Sequence, residues 1–327
     1  MTAKFNLGSL LSRVHIPFPA FLTENRLYTN NTTRVLLFAL GAGYTLYTAL
    51  SYAKSIISPL FNRIGDLSAR YGPNTWVLVT GCTEGIGRAF AFELAKRGFN
   101  IVLVARNPEK LNQVEQEIIK LGAKTRVVVS DFTNSHKDGF AEEIYEQVRD
   151  LDISILVNNA GVWEGDYYDR IPLQNIRNLI LTNVLAHAMI TRVFLPKLVA
   201  RPTKSAIIDV ASLASAMPKP YEQVYSASKA FHNFLSVGLS YEHPNLDILS
   251  MNPGPISTNL NDYKRLDLKT ISAEDFVKVS LQNLGKTNHT YGHWKHRLDK
   301  WGMEHIPNFL AEAYWRDRFN VAPKTKN

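Results

Sequence analysis

A single cysteine, Cys82, stands in 327 residues. No intrachain disulfide can form, and neither a zinc site nor a disulfide-stapled scaffold is available. Such a chain suits a reducing compartment. Acidic residues are outnumbered, 29 against 37 lysines and arginines, which leaves a formal net charge of +8 and a pI near 9.4. The cations are scattered, however, with no run dense enough for a nucleic-acid patch, so no nucleic-acid partner is expected. The surplus is left to solubility, to a phosphate-bearing ligand, or to a membrane face. Internal repeats and low-complexity tracts are also lacking. With 45% apolar and 20% charged residues the chain can bury a sizeable core.

Long apolar runs are missing but for one. From Val35 to Ala53, VLLFALGAGYTLYTALSYA holds 19 residues without a charge, between Arg34 and Lys54. A helix rising 1.5 Å per residue needs roughly 20 residues to cross a hydrocarbon core of ~30 Å. The run reads as a membrane-anchor helix. Its two glycines and Tyr44, Tyr47 and Tyr52 keep a buried or interfacial helix as the alternative. About 34 residues precede it, which argues against a cleaved signal peptide. Arg26 and Arg34 lie on one side and Lys54, Arg63 and Arg70 on the other, so the positive-inside rule does not orient it. The missing disulfides favour a cytosolic face for the domain that follows. Asn30, Asn31 and Asn288 begin glycosylation triplets of a kind that also arises by chance.

From Thr75 the rhythm changes to short apolar runs separated by amphipathic stretches. WVLVTG (76–81), NIVLVA (100–105), TRVVVS (125–130), ISILVN (153–158), SAIIDV (205–210) and DILSMN (247–252) are continuous β-branched or aliphatic runs, the pattern of strands covered on both faces. Arg88–Arg97, Pro108–Leu121 and Phe140–Arg149 have helical spacing. The alternation predicts an α/β fold, a doubly wound parallel sheet of Rossmann type with helices on both faces, preceded by the N-terminal membrane-anchor helix. Three regions follow: 1–70 with the anchor at about 35–53, a nucleotide-binding catalytic domain over 71–290, and a basic aromatic extension over 291–327. In the extension, Trp294, Trp301 and Trp315 alternate with Lys, Arg and His, beside Ile306, Phe309 and Leu310. Such a segment packs on a domain as a lid or lies on a membrane surface.

The chemistry gathers at the ends of the apolar runs. Thr80-Gly81-Cys82-Thr83-Glu84-Gly85-Ile86-Gly87 follows the first strand and opens a helix, where glycines permit a tight turn and a pyrophosphate can rest on the helix N-terminus. Turns of this kind also occur where nothing binds; the position in a first βαβ unit favours the ligand. The second strand ends in Arg106-Asn107, with no acid to take a ribose 2′-hydroxyl. Arg106 supplies a cationic fork for a 2′-phosphate, or is a surface arginine. Asp131, after the third strand, suits an adenine amino group or a helix cap. Asn158-Asn159-Ala160-Gly161 ends the fourth, where the same choice between ligand and turn applies. Tyr225-Ser226-Ala227-Ser228-Lys229 sets a phenol and an amine one helical turn apart, and Ser212 lies thirteen residues earlier at the end of the fifth strand. A phenol has a pKa near 10, and an adjacent ammonium lowers it enough for acid–base work on a carbonyl or alcohol.

In this order the residues resemble the short-chain dehydrogenase/reductase family from about Thr75 to at least Thr258: TGxxxGIG, Arg106, Asp131, NNAG, Asn183, Ser212, YSASK, then Pro253-Gly254 and Thr258. The resemblance implies an NADP(H)-dependent oxidoreductase. Tyr225 would be its acid/base, Ser212 the donor to the substrate carbonyl, Lys229 the residue that binds ribose and lowers the tyrosine pKa, and Asn183 the holder of a proton-relay water. It implies cofactor contacts from Gly81, Thr83, Gly85, Ile86, Gly87, Arg106, Asp131, Asn158, Ala160, Tyr225, Lys229, Pro253, Ile256 and Thr258. Ala211 departs from the second serine that many members carry. GIGRAFAFELAKRGFNIVLVARNPEKL is similar to the membrane-anchored branch of very-long-chain 3-oxoacyl-CoA reductases and 17β-hydroxysteroid dehydrogenases. That branch implies a lipophilic keto substrate (an acyl-CoA or a steroid, with a retinoid as a third choice), membrane lipid around an anchor in the endoplasmic reticulum, and a homodimer through the middle helices. Its substrate pocket would be lined by Ser215–Glu222 and Asn259–Ser272. A membrane-tethered nucleotide-binding scaffold without turnover is the alternative of another class, and the complete set Asn183, Ser212, Tyr225 and Lys229 counts against it.

The anchor reading has a direct check by membrane fractionation. The intact protein should stay in the membrane pellet through high-salt washing and come off only in detergent; release by salt alone contradicts a spanning helix.

Overall fold

The computed structural model describes residues 31–61, 65–258 and 270–305. Readings that fall elsewhere, including Asn30, the pocket segment over 259–269, and Ile306, Phe309, Leu310 and Trp315 of the tail, lie outside the described residues. Helix α1, Asn31–Phe61, contains the whole apolar run. Its stretch Val35–Ala53 is long and apolar enough to cross a membrane, and none of that stretch is buried. Within that stretch Phe38 and Tyr47 expose 79% and 71% of their surface, and no residue is charged. Thr45 and Thr48 turn their hydroxyls back onto the carbonyls of Gly41 and Tyr44 at 2.8 and 3.0 Å, which satisfies them within the helix.

The domain from residue 56 onward forms a unit of its own. A short helix α2, Leu67–Tyr71, leads into it, and Arg70 and the Tyr71 hydroxyl both donate to Asp247, at 2.6 and 2.7 Å. Six strands fall on the six apolar runs: β1 Trp76–Thr80, β2 Asn100–Ala105, β3 Thr125–Val129, β4 Ile153–Asn158, β5 Ala206–Val210 and β6 Asp247–Met251. Two-residue β7, Ile256–Ser257, and β8, Ile271–Ser272, pair with each other. A further short strand, β9 His289–Thr290, adds to the main sheet beside β6. The main sheet is parallel throughout, in the order β3-β2-β1-β4-β5-β6-β9. The doubly wound parallel sheet expected from the alternation is therefore the fold.

Helices cover both faces because successive strand residues point to opposite sides. Val77 and Val79 of β1 pack under α3 Gly85–Ala95, α4 Pro108–Ile119 and α9 Ala273–Leu281. Leu78, between them, packs under α5 Phe140–Glu146 and α7 Ala186–Val199. Pro108 opens α4 and Asn107 Oδ1 caps it, accepting from Lys110 N at 2.8 Å, so this boundary was written in the sequence. The strand order switches direction between β1 and β4, and in such sheets the crevice for a ligand opens beyond the carboxyl ends of those two strands. Thr80 and Asn158 end them.

Candidate active site

The turn after β1 is built around a space that admits no side chain. Gly81 and Gly85 have φ of +64° and +56°, where a Cβ is strained. A Cβ on Gly87 would lie 2.2 Å from the Gly81 carbonyl oxygen and 2.3 Å from Asn159 Nδ2. Asn159 is the residue that closes this turn onto β4: its amide donates to the carbonyls of Thr80 and Gly81, both at 3.0 Å. Thr80 Oγ1 in return accepts the N–H groups of Asn159 and Ala160 at 2.9 and 3.0 Å. Helix α3 starts with no acidic residue in its first turn and no side-chain cap. A dinucleotide pyrophosphate fits that cradle, since glycine permits its close approach and the helix terminus favours an anion. The carboxylate of Glu84 beside it is paired with Lys110.

The remaining nucleotide-side candidates lie along the same rim. Arg106 is exposed at the end of β2, while Thr83 and Ile86 are half-buried in the turn. Thr258 closes over the turn, its methyl 3.0 Å from where a Gly85 Cβ would sit. Pro253 ties the loop after β6 to the loop after β5 by accepting from Leu213 N at 2.7 Å, and Ile256 is buried in β7. Two candidates are committed locally. Asp131 Oδ1 caps the 3-10 turn that follows it, bonding Thr133 N at 3.0 Å, and Asn158 turns its amide inward to Thr191 and Asp209, both at 2.9 Å.

Helix α8, Gln223–Glu242, carries Tyr225 and Lys229 on one face, with the lysine Nζ 5.8 Å from the phenol ring centroid. Lys229 Nζ donates to the carbonyl of Val210, at the end of β5, at 2.9 Å. Ser212, two residues on, accepts from Ala214 N at 3.1 Å and so starts the turn leading toward α8. Asn183 lies in a π turn, Leu181–Leu185, between helix α6 Leu173–Ile180 and α7. Its side chain grips the loop after β4 through Val162, accepting from the N–H at 2.9 Å and donating to the carbonyl at 3.0 Å. Its amide also donates to Ser228 Oγ on α8 at 3.1 Å. Gly161 makes room for this meeting: a Cβ there would lie 3.3 Å from Lys229 Nζ and 3.4 Å from Asn183 Oδ1. The structure thus brings Asn183, Ser212, Tyr225 and Lys229 to one edge of the sheet.

Burial pushes the Tyr225 phenol up to about 12; the Ser212 hydroxyl acts in the opposite direction and the Glu222 charge adds to the rise. Burial also brings the Lys229 ammonium down to about 8, against the pull of the Asp209 carboxylate. In the protein alone, loss of water is the largest influence on the phenol. What results is a phenol fully protonated at neutral pH, the form that gives a proton to a carbonyl oxygen. Lys229 has a lower pKa folded than unfolded, so between pH 8 and 10.5 the unfolded chain holds the extra proton and stability rises with pH. Lys229→Met should therefore stabilise the fold most below pH 8, and the gain should fade as pH approaches 10.5. Urea unfolding across that range checks the sign.

Three comparisons bear on this arrangement. Residues 75–269 match the short chain dehydrogenase family, a span that holds every candidate catalytic residue. A very-long-chain 3-oxoacyl-CoA reductase of Mus musculus is 35% identical over 287 residues, 83% of this chain and 86% of that protein. One of Caenorhabditis briggsae is 32% identical over 84% of this chain and 90% of its own length. Hydroxysteroid dehydrogenase-like protein 1 of Gallus gallus is 33% identical over 84% and 86%. A structure described for 7β-hydroxysteroid dehydrogenase stereoselectivity superposes with a TM-score of 0.69 at 23% identity, covering 76% of this chain and 98% of that one. With the family match spanning the sheet and the candidate active site, and these relatives covering most of the chain, the protein belongs to the short chain dehydrogenase family.

Proposed function

We propose that the protein reduces a very-long-chain 3-oxoacyl-CoA to the 3-hydroxyacyl-CoA, with NADPH as the cofactor. The observation that carries the reading is the 32–35% identity, over more than four-fifths of the chain, to relatives bearing that reductase name. Helix α1 supports it, because a substrate with a long acyl chain partitions into a bilayer. The net charge of +8 supports it too, since a CoA thioester carries phosphates. The proposed location is the endoplasmic reticulum membrane, with the catalytic domain on the cytosolic side. The glycine turn would hold the pyrophosphate and Arg106 the 2′-phosphate. Bound there, NADPH would supply the hydride that reduces the carbonyl carbon.

The protein's own part is protonation and placement. Ser212 would donate to the keto oxygen and hold it toward the phenol. Tyr225, protonated through the neutral range, would give its proton to that oxygen as negative charge develops there. Lys229, within the same buried edge, would stabilise the phenolate left behind, and any ammonium charge there acts strongly because water is excluded. Asn183 would hold the loop after β4 over the lysine. A steroid or another lipophilic ketone is the second reading, favoured by the 33% identity to hydroxysteroid dehydrogenase-like protein 1.

Tyr225→Phe should lower kcat by about 10²–10⁴-fold while NADPH binding, read by cofactor fluorescence, persists. Unchanged turnover would remove Tyr225 from the acid's role, and a wild-type protein that binds NADPH but turns over no ketone would return to the scaffold class. Arg106→Ala should weaken NADPH by about 10-fold or more and leave NADH nearly unaffected, the loss of charge-assisted bonds to one phosphate. Equal effects on both cofactors would remove Arg106 from the 2′-phosphate.

A further inference from the structure

Behind the candidate catalytic groups lies a buried polar cluster that the proposed reduction does not use. Asp209 sits within the otherwise aliphatic strand β5 with no solvent exposure. Its Oδ1 accepts from Asn158 Nδ2 at 2.9 Å and lies 3.0 Å from His187 Nε2; Oδ2 accepts from Ser236. The His187 ring lies against the His232 ring, with centroids 4.0 Å apart and planes tilted by 40°. His232 is wholly buried and sits three residues beyond Lys229 on α8. Its Nε2 is 2.5 Å from the main-chain oxygen of Asn183.

A carbonyl only accepts, so Nε2 carries the proton. The Val210 carbonyl also faces the ring. Burial, with His187 and Lys229 close by, holds His232 well below the ordinary histidine range, so the ring is neutral at neutral pH. The groups that face it are Lys229 from its own helix, His187 from α7, the Asn183 carbonyl from the π turn, the Val210 carbonyl from β5, and, behind His187, Asp209 from β5. The π turn matters here. Its Ala186 N–H reaches back five residues to Leu181, a wider loop than an α-turn, and an outside donor meets the Asn183 carbonyl within it. A carboxylate and two imidazoles are costly filling for a core unless they hold something in place.

We propose that His232 is a positioning residue for the ketone reduction: its Nε2–H holds the Asn183 carbonyl and so fixes the π turn against the helix that carries Tyr225 and Lys229, while His187 and Asp209 hold the ring from behind. The turn and α8 are then joined at two points, Ser228 to the Asn183 side chain and His232 to its main chain. Losing the second lets Asn183, and the loop it grips over Lys229, shift relative to the phenol. The inference rests on the reading of Tyr225 and Lys229 as the acting pair.

The test uses the full chain in detergent, with NADPH oxidation by a long-chain 3-oxoacyl-CoA and thermal melting followed in parallel. His232→Phe fills the same space without a donor and should lower kcat by about 10–100-fold, the scale of a small misplacement, with the KM for NADPH unchanged. His232→Gln carries an amide N–H to the same carbonyl and should recover most of the loss. His232→Asn ends short of it and should behave as the Phe variant, which keeps the comparison open if Phe fails to fold. The midpoint of the pH profile should not move, because the ring is neutral. A folded Phe or Asn variant with wild-type kcat, a folded Gln variant with no recovery, or a shifted midpoint would each overturn the inference alone. Absence of turnover by the wild-type protein with every ketone offered, while NADPH binds, would overturn the functional reading and this one with it.

Discussion

Lys229 carries an amino group into the edge of a sheet where little water reaches it, and much of the surrounding structure is arranged around that group. Desolvation alone disfavours its charge. One N–H goes to the Val210 carbonyl at 2.9 Å, and the Asp209 carboxylate one residue back along β5 favours the ammonium. Glycine at 161 lets the loop after β4 come within contact of it, and Asn183 holds that loop down. Phenol and amine are both biased toward their neutral forms in the protein alone. Charge that develops nearby is therefore felt at short range with little solvent to screen it, which is the condition for electrostatic control of a proton transfer.

The nucleotide side depends on a similar economy of space. Gly87 has no room for a Cβ, because Asn159 draws the Gly81 turn against β4. Thr80 and Asn159 between them connect the first and fourth strands where the strand order switches, so the crevice and the glycine turn are one construction. Thr258 on the loop after β6 completes the rim over Gly85, and the Pro253–Leu213 bond carries that loop to the turn that begins at Ser212.

Much of this is legible in the sequence. Six strands coincide with continuous aliphatic runs because a parallel sheet covered on both faces needs apolar residues on both sides of each strand. Tyr225 and Lys229 share a face because helical spacing requires it. The strand His289–Thr290 is not legible there because two residues, one of them histidine, carry no strand pattern. Neighbouring asparagines were harder still: Asn158 and Asn159 are identical in type, and only the strand's alternation decides that the first turns inward and the second closes the glycine turn. His187, His232 and Asp209 come from three separate elements and meet only in the folded chain. A signal existed for one of them. A carboxylate within the buried run SAIIDV must find partners or be neutralised, so Asp209 marked a polar site in the core.

The substrate follows from neither the sheet nor the proton-transfer edge, since both are compatible with any ketone that reaches Tyr225. The measurement that tests the central claim is NADPH oxidation by the detergent-solubilised full chain, offered a very-long-chain 3-oxoacyl-CoA and, separately, a 17-ketosteroid. Preferential turnover of the acyl-CoA, with the 3-hydroxyacyl-CoA as product, is the predicted result. Turnover of the steroid alone would contradict it while leaving the site and its chemistry in place.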